Sequence, residues 1–98
     1  MTPAEREAAH QEIARLSAAN VESPYASAFH VAEALSEHYA ELSSLWLARE
    51  AAAAAEHEEA APELRSIVSL RAADATGKVD LLDKLLGDLL ELARGIGV

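Results

Sequence analysis

An all-α fold follows from three observations. Only three prolines and four glycines interrupt 98 residues, strong helix formers, 23 of them alanine, fill the space between, and the larger apolar residues recur at spacings of three and four. The expected architecture is three or four antiparallel helices in a small helical bundle or a long helical hairpin. At this length residues 1–98 are expected to be a single helical domain.

Each helix has its own start signal. Thr2-Pro3-Ala4-Glu5 is a capping box with proline at the first helical position, which predicts a helix over about 3–19, with Asn20 able to close it in a left-handed conformation. Ser23-Pro24 repeats the signal and predicts a second helix over about 24–60, long for so short a chain. Pro62 opens a third over about 62–76. Thr76-Gly77 can end it, and Asp80 can cap a fourth over about 79–95. If the helix tolerates Gly77, the last two merge into one rod as long as the second helix.

The core that these helices can build is thin. Of 50 hydrophobic residues 23 are alanine, which leaves 27 larger apolar side chains. With no cysteine, neither disulfides nor thiolate metal sites can supplement packing, and a reducing, cytoplasmic setting is expected. No N-terminal targeting signal and no apolar run of roughly 18 residues is present, so no membrane association is expected.

The C-terminal segment carries the widest apolar face. At 100° per residue, Leu81, Leu92, Leu85, Ile96, Leu89, Leu82, Leu86, Val79 and Leu90 fill a continuous arc of about 180°. A monomer's surface helix needs a stripe only somewhat wider than about 100°. Either this helix lies in a groove between two others of the same chain, as a four-helix bundle would provide, or one flank packs inside the chain and the other meets a second copy or a partner helix. The alanine-rich first helix, too small to cover much leucine, favours the second. Leu82, Leu85, Leu89, Leu92 and Ile96, stepping by three and four like a coiled-coil seam, are the candidate self-association residues, with a homodimer as the first expectation.

Charge points to a second surface. Seventeen acids against eight bases give −9, and residues 20–63 hold nine acids against Arg49 alone. Such a balance argues against direct contact with nucleic-acid backbone or anionic lipid. Within this segment Glu33, Glu37 and Glu41 are spaced i, i+4, i+8 with no base between Arg15 and Arg49. Each like-charge pair opposes the helix by about 0.2–0.5 kcal/mol. The stripe is expected to be either a solvated face or a docking surface for a basic protein, with mimicry of nucleic acid as its extreme form. On the opposite side of the same helix Val31, Leu35, Tyr39, Leu42 and Trp46 cluster, and Tyr39 and Trp46 are the expected core anchors. Phe29 falls at the border.

Catalytic patterns are missing. No glycine-rich phosphate loop, cysteine nucleophile or Gly-x-Ser-x-Gly elbow is present, and no cofactor or enzymatic activity is expected. Carboxylate-bridged metal sites in helical proteins need inward Glu-x-x-His pairs. Glu7/His10 is the one pair in that order, and the reversed order occurs at His30/Glu33 and at His38/Glu41. Of these, Glu7, His10, His30 and Glu33 are the candidate ligands of the alternative function, a metal-binding protein completed by oligomerisation. The chain resembles small secreted helical hairpins with a Trp-x-Gly turn only in its size and its one mid-chain tryptophan. Its Trp46-Leu47-Ala48 has no glycine, and no family follows. The leading expectation is a small acidic interaction protein, an adaptor, chaperone-like subunit or inhibitor, that self-associates through its C-terminal helix.

Overall fold

The computed structural model describes residues 1–96. They are all-α: α1 spans Pro3–Ala19, α2 spans Ala26–Glu59, a short 3-10 helix covers Pro62–Leu64, and α3 spans Arg65–Ile96. The described residues contain no strand.

The helix ends show what local chemistry dictates. Thr2 accepts a hydrogen bond from the Glu5 backbone N–H (3.1 Å) while Glu5 accepts one from the Thr2 N–H (3.1 Å), the reciprocal capping box that the first five residues spell out. At the other end Asn20 keeps a negative φ of −116° and closes α1 differently from the expected left-handed turn. Its side-chain amide donates to the Leu16 carbonyl at 2.7 Å. Pro24 is likewise outside α2. The Ser23 carbonyl accepts from Ala26 N–H (3.1 Å) and Tyr25 has φ −100° and ψ 10°, the geometry of a type I turn with proline at its second position. Ahead of Pro62, Ala60 and Ala61 are both extended. Steric conflict with the proline ring disfavours helix at the residue before it, so the chain reverses here.

Gly77 does not end a helix, and the separate segments expected over 62–76 and 79–95 are one rod. Gly77 has no positive φ, so nothing in its backbone marks a stop. An interior glycine costs only about 1 kcal/mol relative to alanine, whereas α3 buries Val68, Ala75, Val79, Leu82, Leu86 and Ala93 along its length. Thr76 supports the continuity, its hydroxyl sharing one proton between the Ala72 carbonyl (3.0 Å) and the Glu50 carboxylate of α2 (3.1 Å).

Contacts between α2 and α3 descend along one helix as they ascend along the other. Arg71 meets Glu56, Thr76 meets Glu50, Lys78 lies over Trp46, and Phe29 shares a groove with Ala93. Helix α1 covers only the end where α2 begins and α3 finishes. There Ala9 and Ile13 of α1, Phe29 and Ala32 of α2, and Leu86 and Ala93 of α3 form the buried cluster, flanked by Leu16, Leu89, Leu90 and Ile96. The result measures 59 × 17 × 16 Å, with a radius of gyration of 17.3 Å; a compact chain of this length would have about 13 Å. Its 6300 Å² of accessible surface likewise exceeds the roughly 5400 Å² of a compact monomer of its mass.

The buried side of α2 differs from its most apolar side. Phe29 is fully buried, with Ala32, Ser36, Ser43 and Ala53, whereas Tyr39 and Trp46, the expected anchors, are half-buried and Val31 is 56% exposed. Because α1 and α3 both press on α2, the buried line falls between them, and it runs through two serines. Ser36 is satisfied, donating to the Glu33 carbonyl at 2.7 Å. Ser43 is enclosed without a hydrogen-bond partner. The Trp46 ring instead lies beneath two cations, Lys78 Nζ at 4.0 Å and the Arg49 guanidinium at 4.4 Å from its centroid, in the amphipathic role tryptophan fills at a surface.

A nearly enclosed ion pair ties α1 to α3, with a longer one from Arg94 Nε to Glu12 Oε1 (3.9 Å) further along. Arg6 grips Asp83 with two parallel hydrogen bonds, Nε to Oδ1 at 2.7 Å and Nη2 to Oδ2 at 3.0 Å, and the Met1 amine donates to the same Oδ2 at 3.0 Å. Both side chains are nearly enclosed. Burial alone would push the Asp83 carboxyl up, but hydrogen bonds from Arg6 and the Met1 amine outweigh it and hold the group below the ordinary aspartate range. The same bond to Asp83 raises Arg6.

Candidate functional site

Two surfaces come together from the expected residues, one apolar and one acidic. The apolar one lies where the C-terminal half of α3 runs beside the N-terminal half of α2. Val79, Leu82, Leu86 and Ala93 turn into the core, leaving the opposite flank of α3 to solvent, with Leu81 56%, Leu85 37% and Leu92 60% exposed. Beside this flank opens a groove of about 370 Å³, walled by Phe29, Val31 and Leu35 of α2 and by Leu89, Leu92 and Ile96 of α3. No charged residue lines it.

The five candidate self-association residues divide between the two flanks. Leu85 and Leu92 are exposed, Leu89 and Ile96 are half-buried against the core, and Leu82 is buried in the monomer. Spacing of three and four picks a seam, but the seam of α3 straddles the boundary that α2 imposes. Leu81 belongs to the open flank in place of Leu82. Val31 and Leu35 are the contribution that the sequence assigned elsewhere, to the core face of α2.

The acidic surface forms where α1 lies on α2. Glu37 and Glu41 are exposed and Glu33 is half-buried. Helix α1 adds Glu7, which shares a shallow groove of about 320 Å³ with His10, Gln11, Glu37, Glu41 and Ser44. Three carboxylates from two helices thus border one depression. Glu7 accepts a hydrogen bond from Gln11 at 2.8 Å. His10 Nδ1 sits 2.7 Å from the Ser36 hydroxyl. The same Ser36 hydroxyl reaches the Glu33 carbonyl at 2.7 Å, so this contact links α1 to α2 with His10 as donor or acceptor according to its tautomer.

The candidate ligands Glu7, His10, His30 and Glu33 do not converge. His30 is exposed and borders a different depression, with Ser17 and Val21, near the start of α2. Among the described residues no three His, Asp or Glu side chains gather in an arrangement that could hold a metal ion, and no helix is long and apolar enough to cross a membrane. The chain matches no protein family, no curated protein and no solved structure.

Proposed function

We propose that this chain is a small acidic interaction protein whose helices form an antiparallel bundle, and that it self-associates through the open flank of α3. The observation that carries this is the uncharged groove between α2 and α3, continuous with exposed Leu92. Isolated exposed leucines are ordinary on a protein surface. Here they adjoin a concave apolar wall on a rod that already exposes more surface than its mass requires, and burying that wall is the cheapest way to add core. The acidic depression bordered by Glu7, Glu37 and Glu41 serves a basic protein partner, drawn in electrostatically. Such a protein acts as an adaptor, chaperone-like subunit or inhibitor rather than as an enzyme, and the lack of cysteine suits a cytoplasmic setting.

Light scattering over a concentration series tests self-association. A dimer is expected for the native chain and a monomer for Leu85→Glu and Leu92→Glu, both at exposed positions that leave the core intact. A native chain that stays monomeric at high micromolar concentration overturns the proposal. For the acidic surface, the Glu37→Lys and Glu41→Lys variants should lose salt-sensitive binding of a polylysine probe, and undiminished binding would remove that part.

A further inference from the structure

The open flank of α3 has a symmetry of its own. Gly77 and Gly95 lie eighteen residues, about five turns, apart and share one edge of the flank. Lys84 and Asp88 lie on that same edge between them, and Leu81 and Leu92 run down the middle of the face. Each of these pairs is centred within half a residue of position 86. In a two-fold antiparallel pair of helices, residues on one edge meet residues on the same edge of the partner, reflected through the axis. Gly77 then faces Gly95, Lys84 faces Asp88, and Leu81 faces Leu92.

Two independent features say that the occupant of this face is a second α3. The first is charge. Helix α3 carries five bases (Arg65, Arg71, Lys78, Lys84, Arg94) and five acids (Asp74, Asp80, Asp83, Asp88, Glu91), whereas α2 carries seven acids against Arg49 alone. Two copies at −9 each repel most strongly through α2, whereas α3, at five acids against five bases, presents no net charge to a second copy. Lys84 and Asp88 already pair within the helix at 2.9 Å, and the two-fold arrangement sets each against its opposite on the second copy. The second is the glycines. Gly77 has no positive φ, and a Cβ at Gly77 or Gly95 would meet nothing within 4 Å. Nothing inside the chain asks for glycine at a position where alanine would stabilise the helix by about 1 kcal/mol. Close approach of another helix does.

Resting on the self-association proposed above, we infer that the dimer is an isologous, antiparallel α3 pair with its two-fold axis beside position 86. Leu81 of each copy enters the groove walled by Leu89, Leu92, Ile96, Val31 and Leu35 of the other, so that groove and knob are supplied by the same surface. The acidic depressions, on the far side of the α1–α2 contact, stay outside the interface.

Because the chain has no cysteine, single-cysteine variants give a clean test. Leu81→Cys and Leu92→Cys are made separately, their association is measured under reducing conditions by sedimentation, and they are then oxidised alone and as an equimolar mixture. The expected result is covalent dimer in the mixture and none from either variant alone. In the antiparallel pair two copies of position 81 are about 16 Å apart along the axis, well beyond disulfide reach of about 7 Å between Cα atoms. Self-linking of Leu81→Cys alone, or a reduced dimer that yields no link in the mixture, overturns the antiparallel pairing and leaves self-association standing. A native chain that sediments as a monomer removes both.

Discussion

The two ends of this rod are built on different terms. Where α1 lies against α2 and α3, three helices enclose Phe29, Ile13 and Leu86 completely, and the enclosure supports a near-buried ion pair between Arg6 and Asp83. At the far end only two helices meet. Ala53, Val68 and Ala75 are the buried residues there, the ion pair Arg71 to Glu56 is exposed at 3.2 Å, and Trp46 is only half-buried. Two helices offer each other one face apiece, so large side chains remain wet and alanine allows the helices to approach. A third helix converts a line of contact into an interior.

The largest expected effect breaks the three-helix end. Phe29→Ala removes the biggest fully buried side chain and should destabilise the chain by about 3–5 kcal/mol in urea titration, whereas Val68→Ala at the two-helix end should cost about 1–2 kcal/mol. Amide hydrogen exchange sharpens the contrast, because protection should be highest near Ile13, Phe29 and Leu86 and lower around Ala53 and Ala75. Equal losses for the two substitutions would mean that the ends are one cooperative core.

A smaller effect separates charge from packing at the three-helix end. Arg6→Ala leaves Asp83 nearly enclosed with only the Met1 amine, and should cost about 2–3 kcal/mol at neutral pH. Since Asp83 is held below its ordinary range in the folded state, its contribution is fully present above the unfolded value of about 4 and is lost as the pH falls through the lower folded value. The gap between native and Arg6→Ala stabilities should therefore close in acid, and a gap that persists at pH 2 would assign the loss to packing of the arginine stem instead.

The smallest change is a gain. Ser43→Ala removes a buried hydroxyl that has no partner and replaces it with the best helix former, so it should stabilise the chain by up to about 1 kcal/mol. A loss would reveal that the hydroxyl is satisfied in solution.

Much of this was legible along the chain, and the residues show where legibility stops. Thr2, Glu5 and Pro62 act within one turn of themselves, and the structure uses them as their local chemistry requires. Pro24 carried the same local signal but was claimed by a turn, because the Ser23 carbonyl offered the reversal a nearer partner. Phe29 and Trp46 exchanged their expected places because a helical wheel ranks residues by the apolarity of their own helix and knows nothing of the other two. For the candidate surfaces, the 180° arc on α3 and the run of Glu33, Glu37 and Glu41 could be read directly. That Leu82 turns inward, Leu81 turns outward and Glu7 joins Glu37 could not.

By itself the sequence determined that this protein is helical, where most of its helices begin, that one segment holds nearly all its net charge and that one helix is apolar over half its circumference, since each depends on neighbours within a few turns. Only the tertiary structure decided that α3 runs unbroken through Gly77, that Arg6 closes on Asp83 seventy-seven residues away, and which half of the leucine arc is hidden. Those outcomes depend on the free energy of burial between helices, and the chain carries no local mark of it.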